Sequence, residues 1–296
     1  MTTRSILLGT SLCLALAFGA CTTTPETAAP RKPTSLELDR LTRNRCLAVL
    51  REGLRSEEFW PAIHAAEGLA LGGHGDEVIA HLEPKLATET DDQKLCGISR
   101  ELVRAGDISK ARVMLGILAR DNPYGHIHAA ESLYKANQIG DGVLMKRRFD
   151  NAGENFKLKL MAAAALGRQG DDAAMAYLRE SMASENETAV YIAAWVLGRI
   201  GNRQDVPLLQ SRRGYSQDEV RNCFIDHSLA SLGDPGGLAA LKQNLSSTNP
   251  AIRTYAATFA GDARAVSVAE KLKAMLDDPH ADARYRAAQS LLHLSR

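Results

Sequence analysis

Four stretches of this chain are variations on one ten-residue theme: HAAEGLALGG, HAAESLYKAN, MAAAALGRQG and IAAWVLGRIG. Their first residues, His64, His128, Met161 and Ile192, serve as anchors, and the same register extends to Gly97, Phe224, Tyr255 and Arg286. Successive anchors lie 33, 31, 33, 31, 32, 31 and 31 residues apart, a period at which stacked helical hairpins recur. A hairpin of that length cannot bury enough apolar surface alone, so the repeat obliges each unit to pack against its neighbours.

One residue after the anchors stand Ala65, Ile98, Ala129, Ala162, Ala193, Ile225, Ala256 and Ala287. Five after them stand Leu69, Leu102, Leu133, Leu166, Leu197, Leu229, Ala260 and Leu291. These two rows are one helical turn apart and share a face, the small residue admitting a close neighbour and the leucine filling the space between layers. Nine after the anchors come Gly73, Gly106, Asn137, Gly170, Gly201 and Gly233, residue types suited to the left-handed conformation that ends a helix. A second helix follows in each full unit, with an apolar row expected at His81, Met114, Met145, Leu178, Leu209, Leu241 and Leu272. Asn122-Pro123, Asn249-Pro250 and Asp278-Pro279 are expected to open the next first helices, since proline suits a first turn. The eighth unit has room for one helix only. With 45% apolar and only 5% aromatic residues, the fold class is all-α, an α-solenoid of about eight repeats of 31–33 residues.

Val/Ile-Arg-x-x-Ala-Ala with a following leucine, cleanest in Ile252-Arg253-Thr254-Tyr255-Ala256-Ala257, resembles the HEAT-repeat family and most closely its short, phycobilisome-lyase-like form. The resemblance spans residues 60–296, with residues 36–59 read as an N-terminal capping helix. In HEAT solenoids the second helices line the concave face, so the resemblance places an open groove there. It is specific for fold and nearly silent on function.

Ahead of the repeats, Arg4 precedes an apolar run from Ile6 to Phe18 and then Gly19, Ala20 and Cys21, the order of a secretory signal over residues 1–20. Phe18-Gly19-Ala20-Cys21 is similar to the lipobox of bacterial lipoproteins, with Phe18 where that family usually has leucine. The likeness implies a lipid on Cys21, a flexible tether over residues 21–35, and a protein of the cell envelope held at the outer membrane and facing the periplasm. Thr22, rather than Asp, after the cysteine matches the outer-membrane sorting of that family.

Lys plus Arg number 36 against 35 for Asp plus Glu, and loss of the leader removes only Arg4, so no general affinity for nucleic acid is expected. The cysteines at 13, 21, 46, 96 and 223 include no Cys-x-x-Cys pair and form neither a zinc pattern nor a disulfide framework. No His-Glu-x-x-His, Gly-x-Ser-x-Gly, P-loop or dinucleotide glycine fingerprint occurs. No enzyme, metal or cofactor is therefore expected.

Three sets of side chains stand out. Lys146, Arg179, Lys242 and Lys273 recur at one position of the second helices and offer a basic row to an anionic ligand. Tyr191 and Trp195 mark a helix that is apolar nearly all round, either packed on two sides or open to a partner. His64-Ala-Ala-Glu67 and His128-Ala-Ala-Glu131 place His and Glu on one helix face. HEAT-like deoxyhypusine hydroxylases hold a di-iron site with adjacent His-Glu pairs, whereas here the residues are three apart and the intervening unit offers Gly97 and Arg100. A charge ladder of Glu67, Arg100 and Glu131 explains them more simply. The expectation is a non-enzymatic, membrane-tethered scaffold that binds a protein or an anionic envelope component. The alternative is a metal-dependent enzyme, or an enzyme's accessory, acting on periplasmic polymers through His64, Glu67, His128 and Glu131.

Overall fold

The computed structural model describes residues 35–296 apart from residue 154. The expected leader, Cys21 and the expected tether up to residue 34 lie outside the described residues. Among those described there are sixteen α-helices and no strand, and no helix is long and apolar enough to cross a membrane.

The helices alternate between two layers. The even-numbered ones carry the anchors: α2 (Phe59–Leu71), α4 (Asp92–Arg104), α6 (His126–Ala136), α8 (Phe156–Gly167), α10 (Glu187–Ile200), α12 (Glu219–Ser231), α14 (Pro250–Asp262) and α16 (Ala281–Leu294). Between them run α1 (Arg40–Leu54), α3 (Gly75–Leu86), α5 (Ala111–Ala119), α7 (Val143–Asp150), α9 (Asp172–Ser181), α11 (Val206–Gln210), α13 (Pro235–Asn244) and α15 (Ala269–Ala274). Each even-numbered helix packs on the next even one and on the odd helix that precedes it. The small and leucine rows account for this: Ala65, Ala129, Ala162, Ala193, Ala256, Ala287, Leu69, Leu102, Leu133, Leu197, Leu229 and Leu291 are all wholly buried.

Where an open solenoid would end, this one returns to its beginning. Helix α16 packs on α2, and α1 packs on both, standing in the outer layer between them. The Leu36 amide donates to the Leu294 carbonyl at 2.8 Å, Arg43 reaches Ser295, and Arg45 pairs with Asp277. One hydrophobic cluster joins Leu50 and Leu69 near the start of the repeats to Ala287 and Leu291 near their end. The solenoid is therefore a ring, with even-numbered helices inside and odd-numbered helices outside. Two expectations change accordingly. The second helices do not line an inner face, because the small-residue rows draw the first helices into the tighter inner circle. The segment read as a cap on one end covers both ends at once.

Local departures have local causes. In the first unit His81 is only half-buried while Val78 and Leu82 fill the core, a one-residue offset of α3. Gly73, Gly106, Asn137, Gly170 and Gly233 do take positive φ, but Gly201 does not. There the turn is closed by a capping box between Asn202 and Asp205, while in the seventh unit Arg264 adopts φ 51° at the equivalent position. Of the three Asx-Pro steps only Asn249-Pro250 opens a helix directly. The Asn122 side chain accepts from the Tyr124 amide and Asp278 is taken by Arg253, so α6 and α16 begin a few residues later.

Candidate ligand-binding lumen

The inner helices enclose a cavity of about 1160 Å³ to which every one of them contributes. The side chains reaching it stand mainly at the anchor and at three and seven residues beyond, because these positions face away from the buried alanine and leucine rows.

One arc of the wall is ionic. Glu67 of α2 lies between Arg104 of α4 at 2.9 Å and Arg286 of α16 at 2.7 Å. Burial alone would raise its carboxyl, but Arg104 and Arg286, with Arg100 and Lys135 beyond, hold it well below the usual carboxylate range. Glu101, fully buried, bonds Arg100 at 2.6 Å and Arg104 at 3.1 Å. Glu131 pairs with Lys135 one turn on, at 2.6 Å. His64 Nδ1 meets Asp282 Oδ1 at 2.9 Å. Burial, reinforced by Arg286, lowers the His64 pKa, so the imidazole is neutral at pH 7 and its Nδ1–H donates to the carboxylate. The expected ladder of Glu67, Arg100 and Glu131 is thus a set of closed pairs, and one of them joins the last unit to the first.

The facing arc is aromatic. Tyr191, Phe224 and Tyr255 come from consecutive inner helices, with ring centroids 5.3 and 4.7 Å apart. Tyr255 is 39% exposed and Tyr191 half-buried. At the rim Trp60 stacks on His128 at 6.1 Å. Deeper in, side chains two helices apart in the ring touch across the lumen: Tyr134 meets Trp195 edge-on at 5.5 Å, and Arg199 lies over Trp195 and Phe259 while bonding Asp262. The passage is bridged at that level. Tyr134 is 2% exposed, and its hydroxyl has no hydrogen-bond partner among the described residues. Burial pushes its pKa up to about 12, so it remains a donor at any physiological pH.

Of the residues marked from sequence, His64, Glu67, His128, Glu131, Tyr191 and Trp195 all line this one cavity. Lys146, Arg179, Lys242 and Lys273 do not, because they stand on the outer helices α7, α9, α13 and α15. Three of the four are already paired, Lys146 with Asp150, Arg179 with Asp205 and Lys273 with Glu270. Cys21 lies outside the described residues. Sequence reasoning missed the row Arg104, Lys135, Arg168 and Arg199, which stands seven residues past the anchor in four successive units and faces the lumen. Its repetition was visible in the same alignment.

The His–Glu positions do not suit a metal. The Glu67 carboxylate is engaged by two guanidiniums and His64 Nδ1 by Asp282. Among the described residues no three His, Cys, Asp or Glu side chains are grouped as a metal's ligands would be.

A family model described as HEAT repeats matches residues 151–226 and 219–292. These are HEAT repeats. The two matches run through α8 to α16, and the same register of anchor, small residue and leucine carries the HEAT pattern back through α6, α4 and α2. No curated protein matches the chain. Among solved structures, human deoxyhypusine hydroxylase in complex with glycerol is similar at 16% identity and a TM-score of 0.39, over 86% of this chain and 97% of that one. An engineered protein is similar at 14% identity and 0.32, over 84% and 96%. A second engineered protein gives 17% and 0.31, over 85% and 78%.

Proposed function

We propose that this HEAT-repeat protein is a non-enzymatic binding protein of the bacterial envelope, tethered through a lipid on Cys21, with the lumen of its ring as the recognition site. The observation that carries the reading is the convergence of half-exposed aromatic rings and fixed polar groups on one cavity of about 1160 Å³. Such convergence is what ligand sites share. HEAT repeats commonly mediate protein interaction, which supports a protein or an assembled envelope component as the source of the bound segment.

Crosslinking in the intact membrane tests this, with a photoreactive residue replacing Tyr255 in the lumen or Lys242 on the outer row, followed by mass spectrometry. Adducts from position 255, lost from the membrane fraction in Cys21→Ala, are expected. Adducts from position 242 alone would move recognition to the outer basic row and remove the lumen from the reading. The alternative of an enzyme or accessory acting on periplasmic polymers draws on the shared cavity of His64, Glu67, His128 and Glu131. Polymer cleavage by the purified protein, lost in Glu131→Gln, would favour it.

A further inference from the structure

The charges of the lumen do not balance. Among the described residues six Lys and Arg side chains line it against four Asp and Glu, although the whole chain carries 36 against 35. All four carboxylates are engaged: Glu67 by Arg104 and Arg286, Glu131 by Lys135, Asp262 by Arg199, and Asp282 by the neutral His64. The two further cations of the wall, Lys157 and Arg168, stand at the two ends of α8. A cationic surplus on a concave wall focuses the field and raises the local concentration of anions. At Arg168 the surplus has its origin in the repeat. Lys135 finds Glu131 one turn back, three residues past the anchor, whereas in the next unit that place holds Ala164, wholly buried in the core. The cation seven past the anchor is kept and its carboxylate is not.

Arg168 is exposed, yet its position is held. Among the described residues its guanidinium makes a single hydrogen bond, from Nη1 to the Tyr134 carbonyl at 2.8 Å, and it lies 5.7 Å from the centroid of the Tyr134 ring. These contacts orient the side chain without using up its charge. A planar guanidinium carries five N–H donors, so a carboxylate can still meet it with two parallel bonds. An anion landing there breaks no ion pair, whereas one landing on Arg104, Lys135 or Arg199 would have to. The Tyr134 hydroxyl, on a side chain 2% exposed in the same wall, lacks a partner among the described residues and adds a donor for an acceptor-rich group.

The anion that fits is part of a longer chain. The cavity of about 1160 Å³ exceeds the ~300–1,000 Å³ of ordinary small-ligand sites, and a bare ion would leave the ring surface of Tyr191, Trp195 and Tyr255 unused. An acidic peptide and an acidic glycan both combine carboxylates with groups that pack on rings. The readiness of HEAT repeats to hold protein segments favours the peptide.

Building on the lumen as recognition site, we infer that it takes an acidic peptide segment of a protein partner, an Asp or Glu carboxylate of that segment sitting on the Arg168 guanidinium. The test is an array of acidic, neutral and basic peptides, with neutral and acidic glycans in parallel, probed with the full chain in detergent. The best binders are then titrated by calorimetry at low and high salt. Acidic peptides are expected to head the binders and to weaken as salt rises. Arg168→Gln should weaken them at least about tenfold, and Arg168→Lys, which keeps the charge but not the planar fork, should recover only part of that loss. Both variants should melt as the parent does, because Arg168 is exposed and bonds one backbone carbonyl. Lys242→Gln, which removes a cation from the outer face, should bind as the parent does. Binders headed by glycans, or by neutral or basic peptides, overturn the inference, as does an array without binders. Acidic-peptide binding that Tyr255→Ala weakens and Arg168→Gln does not overturns the inference while the lumen remains the site, and binding that neither variant changes overturns both.

Discussion

His227 sits wholly buried on α12, its ring 5.1 Å from that of Phe259, with Asn244 donating to Nε2 at 3.1 Å and Nδ1 left without a partner. Burial, with Arg199 nearby, lowers its pKa from 6.5 to about 3. The folded state therefore keeps this imidazole neutral, whereas the unfolded chain takes up its proton below about pH 6.5. Stability should be flat in this group above pH 7 and fall as pH drops from 6.5 toward 3, with a loss of about 2 kcal/mol already at pH 5. Urea titrations at pH 7.5 and pH 5 check it. His64, His128 and His293 are lowered by burial in the same sense, so the wild-type loss exceeds that of His227 alone, and His227→Gln should recover about 2 kcal/mol of it. An identical pH 5 loss in His227→Gln would show that the group is solvated. Nothing in the sequence marks His227, because it shares the lumen-side position of Glu67 and Glu131 and only the neighbouring Phe259 and Asn244 seal it.

At the scale of the helix, packing is legible from sequence because it is periodic. Leu197 on α10 is fully buried between the layers, and Leu197→Ala should cost about 2–5 kcal/mol, read from the shift of the denaturant midpoint at unchanged slope. A cost below about 1 kcal/mol would put the leucine row outside the core. Neighbouring Gly198 adds a constraint that periodicity does not give: a Cβ there would lie 2.8 Å from Ser228, so α10 and α12 approach through a missing side chain. What the pattern could not supply was each boundary's exact device. Asn202 and Asp205 close a turn that Gly201 was expected to make, and α3 slides by one residue to bury Val78 and Leu82, because capping and offsets depend on single hydrogen bonds rather than on a repeat. The candidate site was half legible. The rows of His, Glu, Tyr and Trp were singled out, but whether they faced a partner, a metal or one another depended on which helix layer turned inward.

For the whole molecule, the sequence held the clue to closure without showing the closure itself. Eight units complete a circle only if each turns by about 45°, and such curvature accumulates from small tilts between helices that no residue encodes alone. Residues 40–54 hold Cys46, Leu47, Leu50 and Leu54 on one buried face with no unit of their own, and α2 and α16 cover that face. The seam of α1, α2 and α16 carries Glu67–Arg286 and His64–Asp282 beside the apolar cluster, and it turns a groove-bearing solenoid into a ring with a lumen. The proposed recognition site exists only if that seam holds. Spin labels at Arg45→Cys on α1 and Asp277→Cys before α16, in a Cys21→Ala background, measure it directly, since these side chains touch across the closure. The closed ring predicts a label separation under about 20 Å, allowing for label arms on touching side chains. Seven successive helix interfaces of ~8–10 Å would place the labels about 60 Å apart in an open stack, and a distance near that value would contradict the ring.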